Sequence, residues 1–175
     1  MDGAEIGHVK GSLVSRCLSI DLEVDPGKAR IFRFAAVRYR GEKVVFRNGN
    51  LEAALDRLEE LASGADFLLG HNIIRFDLPH LAAVRPRLAG LSSKPIDTLW
   101  LNPLAFPRNP YHHLVKHHHD GRLQVGHVND PELDAHLVLE VLANQFAAFA
   151  ALALETPAAL TSYRLPLPDH LHAGE

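Results

Sequence analysis

The chain has few of the features that stabilise or anchor proteins outside the cytoplasm. Cys17 is the only cysteine among 175 residues, so no internal disulfide can form. A single thiol is typical of proteins in a reducing compartment, which predicts a cytoplasmic location. We find no uninterrupted apolar run of membrane-spanning length and no charged-then-apolar leader. We therefore expect a soluble protein that is not exported and has no membrane partner.

The chain also has no excess of positive charge. Lysine and arginine number 18 against 21 aspartates and glutamates, which gives a net charge of -3. Proteins that bind nucleic acid over a broad surface are usually basic. Any contact with nucleic acid would therefore use a local basic patch or bound metal ions.

Hydrophobic periodicity predicts one α/β domain over residues 13–155. A flexible arm (1–12) precedes it, and a proline-rich tail or linker (156–175) follows it. The predicted strands are Arg16–Val24, Ile31–Tyr39, Lys43–Arg47, Phe67–Leu69 and Ile96–Leu101. The predicted helices are Leu51–Ala62 after an Asn50 cap, Asp77–Val84, a short one near Tyr111–Lys116, and one from Pro131 to about Leu154 after an Asp130 cap. This order predicts a mixed five-stranded sheet, in which a hairpin of antiparallel strands joins parallel strands, with helices on both faces.

The first strand ends in two carboxylates that a purely structural strand does not need. Asp21 and Glu23 are two residues apart, so they project from the same face. Carboxylates this close repel each other unless a cation lies between them, and Mg²⁺ or Mn²⁺ prefers such oxygen ligands. The alternative is that Glu23 and Asp25 simply begin a solvated turn.

Two further carboxylates stand at predicted helix starts. Asp77 ends the run His71–Asp77, which follows a strand; Asp134 lies one turn into the last helix. Each has a structural alternative, since Asp77 could be a helix N-cap and Asp134 part of an ordinary charged helix face.

Taken together, these clusters resemble the three exonuclease motifs of the DEDD superfamily, which includes proofreading exonucleases and ribonuclease T. Asp21–Glu23 resembles the first motif, D-x-E. The segment His71–Asp77 resembles the second, H-N-x-x-F-D, with one extra residue between the two pairs. Asp134 resembles the third. The stretch from Asp97 to Lys116 is similar to exonuclease domains at the front of bacterial RecQ-type helicases.

The resemblance implies a ribonuclease H-like fold and hydrolysis of the 3′-terminal phosphodiester of a single-stranded nucleic acid, DNA or RNA. Two Mg²⁺ or Mn²⁺ ions would activate water and stabilise the leaving oxygen. The implied metal ligands are Asp21, Glu23, Asp77 and Asp134. The implied substrate contacts are Leu22 and Phe76 with the terminal base, and His71 and Asn72 with phosphates. A helicase or another domain could be fused or associated C-terminally.

One position departs from the family pattern. The superfamily usually has a histidine five residues before the last aspartate, or a tyrosine four before it; here Asn129 and Asp130 occupy those positions. His127 is the candidate general base, and Asn129 could orient water but cannot accept a proton. Otherwise the bound water is acidic enough without a base, or the domain is slow or inactive.

Two other functions stay open at this point. The same fold could be an inactive module that binds nucleic acid or docks a partner, or a two-metal hydrolase could act on a small nucleotide. The histidine-rich tract Tyr111–Asp120 fits no closed zinc motif and is better interpreted as a polar rim with Arg108 and Arg122 that meets phosphates. Trp100 and Cys17 are expected in the core.

Overall fold

The computed structural model describes residues 13–28, 30–88, 94–110, 112, 114 and 130–155, without the side chains of 153–155. Its five strands are β1 (Cys17–Asp25), β2 (Arg30–Arg38), β3 (Lys43–Phe46), β4 (Phe67–Gly70) and β5 (Pro95–Asp97). Its helices are α1 (Leu51–Ala62), α2 (Asp77–Val84), α3 (Thr98–Ala105) and α4 (Pro131–Glu155), with 3₁₀ turns at Leu13–Arg16 and Pro86–Leu88. The predicted short helix near 111–116 lies outside the described residues, apart from positions 112 and 114.

The five strands form one mixed sheet in the order β3-β2-β1-β4-β5. The first three strands pair antiparallel, whereas β1 with β4 and β4 with β5 pair parallel. The predicted α/β class and mixed sheet are therefore confirmed. Because β1 is the central strand, side chains at its C-terminal end lie in the middle of that end of the sheet.

Side chains alternate along β1, so the strand contributes to two separate cores. Leu18, Ile20 and Leu22 are buried on one face, in a core shared with α1 and α2. Cys17 is buried on the other face, in a core shared with α4. Helices therefore cover both faces of the sheet, as expected, and Asp21 and Glu23 follow Cys17 in register on the α4 side.

Local sequence signals placed most helix ends correctly. The Asn50 side chain accepts a hydrogen bond from the Ala53 amide and caps α1, which has the predicted bounds. Asp130 Oδ1 accepts from the Glu132 amide at 3.1 Å, and Pro131 is the first residue of α4. Capping satisfies amides that have no partner inside a helix, so these residues fix where each helix starts.

The predicted strand Ile96–Leu101 is wrong beyond its first two residues. β5 ends at Asp97, whose side chain accepts from the Leu99 amide and starts α3 at Thr98. The apolar run was compatible with either structure, and the cap decides for a helix. The helical twist also changes the environment of Trp100, which is 52% exposed rather than part of the core.

The helix α4 is long and apolar. Between Pro131 and Leu152 it has a mean hydropathy of 1.5 and meets the length and composition criteria for a membrane span. The core helix of a soluble protein can meet the same criteria, so this is weak evidence. Here α4 packs on the sheet through Ala135, Val138 and Leu142, all of them buried.

Gly70, at the end of β4, has no room for a side chain. A Cβ there would lie 2.7 Å from the Cβ of Ile73, which cannot move without its backbone. We expect Gly70→Ala to lower the free energy of unfolding by about 1–3 kcal/mol, measured by urea denaturation. The control is Gly27→Ala, whose Cβ would be at an ordinary 3.4 Å from its nearest neighbour. Equal stability of the two variants would contradict this close packing.

Candidate active site

The central strand β1 is longer than its parallel neighbour, so part of its edge is left without β4. β4 pairs with β1 only over Cys17–Ser19. Beyond that point β1 still pairs with β2 but has no strand on its β4 edge, and the Leu22 amide donates to Asp77 Oδ1 at 3.0 Å. The second motif is therefore attached to the first through the residue that separates Asp21 from Glu23.

The Asp77 carboxyl group bonds to the edge of the sheet. The N-cap of α2 is Phe76, which makes no side-chain capping bond, so the interpretation of Asp77 as an N-cap is wrong. Asp77 is 3% exposed. Burial raises its pKa to about 7, although the hydrogen bond from the Leu22 amide acts in the opposite direction.

A second buried carboxylate, Asp97, holds the loop that leads to Asp77. Asp97 is 4% exposed, and its oxygens accept from the amides of Asn72 at 2.8 Å and Ile74 at 3.1 Å. The same side chain caps α3 through the Leu99 amide at 3.0 Å. Bonds from amides to a charged acceptor are stronger than neutral ones, so the loop is fixed to the start of α3.

The backbone of this loop needs such support. Asn72 has a φ of 67°, in the left-handed region that is uncommon outside glycine. Thr98 Oγ1 donates to the Gly70 carbonyl at 3.2 Å and lies 2.9 Å from His71 Nδ1. The hydroxyl of Thr98 thus links this ring nitrogen to the backbone at the end of β4. The Nδ1 atom of His71 therefore bonds to α3 and does not contact a phosphate.

The third carboxylate segment is tied to the opposite edge of the sheet. Glu132, in the first turn of α4, accepts from Lys43 Nζ at 2.6 Å and from Arg47 Nη2 at 3.0 Å. Lys43 begins β3 and Arg47 directly follows it, so the two cations are two residues either side of Val45, which is in register with Ala35 and so with Asp21. The start of α4 thus lies over the row of the sheet that contains Asp21.

Asp134 follows Glu132 by two residues on this anchored helix. Its side chain is half-buried, and Oδ1 is shielded from solvent. The next residue, Ala135, is fully buried against the sheet on the same face as Cys17. Asp134 is thus at the inner boundary of the helix and not on an ordinary solvated face.

The fold bonds Asp77 to β1 between Asp21 and Glu23 and anchors the helix turn that carries Asp134 over the same row of the sheet, without closing the four carboxylates around one point. Asp21 and Glu23 are half-buried on the α4 side of β1, while Asp77 contacts its edge. Within the described ranges, no group of three or more His, Cys, Asp or Glu side chains forms a metal-holding cluster. The donor chemistry nevertheless fits a hard divalent ion, since all four groups are carboxylates and the buried Asp77 would be stabilised by a nearby cation.

The predicted base-binding residues have different environments. Phe76 is 40% exposed, with its ring edge against His80, so it offers a surface to a ligand. Leu22 is 4% exposed and packs in the core, so the structure contradicts its predicted contact with a base. Its contribution is the backbone amide that binds Asp77.

The remaining site residues are two predicted ones that the structure does not describe, a buried cysteine, and one aspartate that the sequence analysis missed. His127 and Asn129, the candidate base and water-orienting residue, are outside the described residues. Cys17 is buried as expected, and burial raises the pKa of its thiol to about 12, which excludes a thiolate nucleophile at neutral pH. The structural role of Asp97 was missed, because the residue was assigned to the interior of a predicted strand. The available signal was an aspartate directly before a threonine, which is typical of a helix N-cap.

Comparison with protein-family models gives no match, and neither the curated proteins nor the solved structures give one.

The bond between Asp77 and the Leu22 amide predicts different stabilities for two substitutions. Asp77→Asn keeps an oxygen acceptor, whereas Asp77→Ala leaves a buried amide without one. We expect the alanine variant to be less stable than the asparagine variant by about 1–3 kcal/mol in urea denaturation with a chelator at pH 8.

The control for this comparison is the same pair of substitutions at Asp66. That carboxylate is exposed and pairs with Arg16 at 2.6 Å. The two Asp66 variants should agree within about 0.5 kcal/mol. If the two Asp77 variants agree equally well, the hydrogen bond to β1 has no structural importance.

Proposed function

We propose that the chain is a metal-dependent 3′→5′ exonuclease that hydrolyses the terminal phosphodiester of single-stranded nucleic acid. The observation that carries the proposal is the 3.0 Å bond from the Leu22 amide to Asp77. It joins two motifs that are 55 residues apart, at the amide of the residue that separates Asp21 from Glu23. A helix cap or a solvated turn would not require that connection.

Asp21, Glu23, Asp77 and Asp134 are the residues that would hold the ions. When bound, Mg²⁺ or Mn²⁺ supplies Lewis-acid stabilisation of the phosphoryl and leaving oxygens. Asp77 provides a buried carboxyl group, fixed in direction by the Leu22 amide, and a bound cation would favour its ionised form. Phe76 provides an exposed ring beside this carboxylate, suited to the terminal base. The second motif then both helps to hold metal and orients the strand end.

The proposal includes a ribonuclease H-like fold for the chain. Its support is the mixed sheet, with an antiparallel hairpin on one side and parallel strands on the other, and helices on both faces. We further propose action in the cytoplasm, which the single buried cysteine suits. A helicase or other C-terminal partner would supply single-stranded ends to such a site.

The test is release of mononucleotides from 3′ ends of single-stranded DNA and RNA of about 20 nucleotides. We expect release with Mg²⁺ or Mn²⁺, none with a chelator, and at least a roughly 100-fold lower rate in Asp21→Ala, because loss even of a residue that only supports a ligand costs 10–100-fold.

The control variant is Glu60→Gln, which removes an exposed carboxylate from α1 on the opposite face of the sheet. It should retain the wild-type rate, whereas the loss of activity in Asp21→Ala purified in the same way excludes a co-purified nuclease as the source of activity. Hydrolysis that survives Asp21→Ala unchanged would refute the proposal. Dinucleotides compared with long oligomers distinguish an exonuclease from a small-nucleotide hydrolase.

A second candidate is a binding module of the same fold without hydrolytic activity. Asp130 favours it, because this residue occupies a position where the family places its catalytic tyrosine, and here it caps α4 and lies 3.8 Å from Arg47. This candidate predicts oligonucleotide binding by wild type and Asp21→Ala alike, with no mononucleotide released by either.

A further inference from the structure

We propose that Trp100 and Arg75 form a stacking platform for a base of the single strand, upstream of the nucleotide at the scissile bond. The inference rests on the proposed exonuclease function and adds a substrate-binding surface to it. Such a platform makes the site select an unpaired strand of several nucleotides over a dinucleotide or a duplex end.

The exposure of Trp100 is the first observation. Its indole is 52% exposed on α3, and Leu104 lies one turn further along the same helix face at 38% exposure. An exposed tryptophan is unusual because its burial normally contributes strongly to core stability. A binding role explains why the described residues leave this face of α3 uncovered.

The second observation is the cation above the ring. The guanidinium carbon of Arg75 lies 5.6 Å from the Trp100 ring centroid. Arginine that is stacked on an aromatic ring can extend the flat surface and also pair with a phosphate. In a chain with a net charge of -3, this cation gives the surface a local attraction for a polyanion.

The third observation is how firmly this surface is joined to the catalytic motif. Arg75 is two residues before Asp77, in the loop whose Asn72 and Ile74 amides bind Asp97. Asp97 also starts the helix that carries Trp100. The platform and the Asp77 carboxylate are therefore held by one network, so a base on the platform has a defined position relative to the cleavage site.

The chemistry identifies the ligand as an unpaired nucleobase with its phosphate. Every base presents a flat π-face, so stacking tolerates any sequence, whereas a duplex hides these faces. Phe76 is exposed in the same loop and is suited to the terminal base, which leaves Trp100 and Arg75 for a preceding nucleotide. A protein partner on this apolar face is the competing occupant.

Binding can be followed directly, because Trp100 is the only tryptophan of the chain. The Asp21→Ala variant is used so that the oligonucleotide is not degraded. With it, oligothymidylate of ten nucleotides should quench the Trp100 fluorescence saturably. A blunt duplex at the same concentration should leave it nearly unchanged. Absence of quenching by a single strand that binds by anisotropy would overturn the platform.

Substitutions supply the second arm of the experiment. In anisotropy with a fluorescein-labelled decathymidylate, Trp100→Ala should weaken binding about 5- to 100-fold, Trp100→Phe less, and Arg75→Ala at least severalfold. The control is Tyr39→Ala, which removes another exposed aromatic ring at the far end of the β2–β3 hairpin. Affinities within twofold of wild type for Trp100→Ala and Arg75→Ala would overturn the proposal.

A small substrate separates failure of the platform from failure of the function. The 4-nitrophenyl ester of thymidine 5′-monophosphate has no preceding nucleotide, so Trp100→Ala should hydrolyse it at the wild-type rate while its kcat/KM on decathymidylate falls. Equal loss on both substrates would overturn the platform. Stacking without hydrolysis of either substrate by wild type would overturn the proposed function and leave the platform standing.

Discussion

The hydrogen bond between the Leu22 amide and Asp77 is the constraint on which the candidate site depends. It exists because β4 is short: the parallel pairing stops at Ser19, and the backbone of β1 beyond it needs another acceptor. A carboxylate from the start of α2 supplies that acceptor and is buried by doing so. One structural requirement, the satisfaction of a buried amide, thus brings the Asp77 carboxyl group to the residue that separates Asp21 from Glu23.

Asp97 shows how the fold can keep such an arrangement rigid. Its carboxylate accepts from two amides of the loop and one of α3, and it stabilises Asn72 in a left-handed conformation. Strain of this kind persists only where surrounding bonds fix it, and it is common at functional sites. Asp97 thus joins the loop that leads to Asp77 to the helix that carries Trp100. The same loop therefore links the proposed metal site with the proposed stacking platform.

The sequence was sufficient for the parts of the fold that depend on local patterns. Alternation predicted β1 and its two faces, and side-chain caps placed α1 and α4. Prediction failed where a short apolar run could be strand or helix, so α3 was missed and Trp100 was placed in the core. The contact of Asp77 with β1 depends on where β4 ends, which is a property of strand pairing that no local pattern contains.

The central claim is that carboxylates from β1, α2 and α4 act as one metal site, and calorimetric titration with Mn²⁺ tests it most directly. Wild type should bind Mn²⁺, and Asp21→Asn, Asp77→Asn and Asp134→Asn should each lower the affinity by at least about tenfold, because each removes a charged ligand. Glu60→Gln should bind as wild type does. Wild-type affinity in any two of the three carboxylate variants would contradict a shared site.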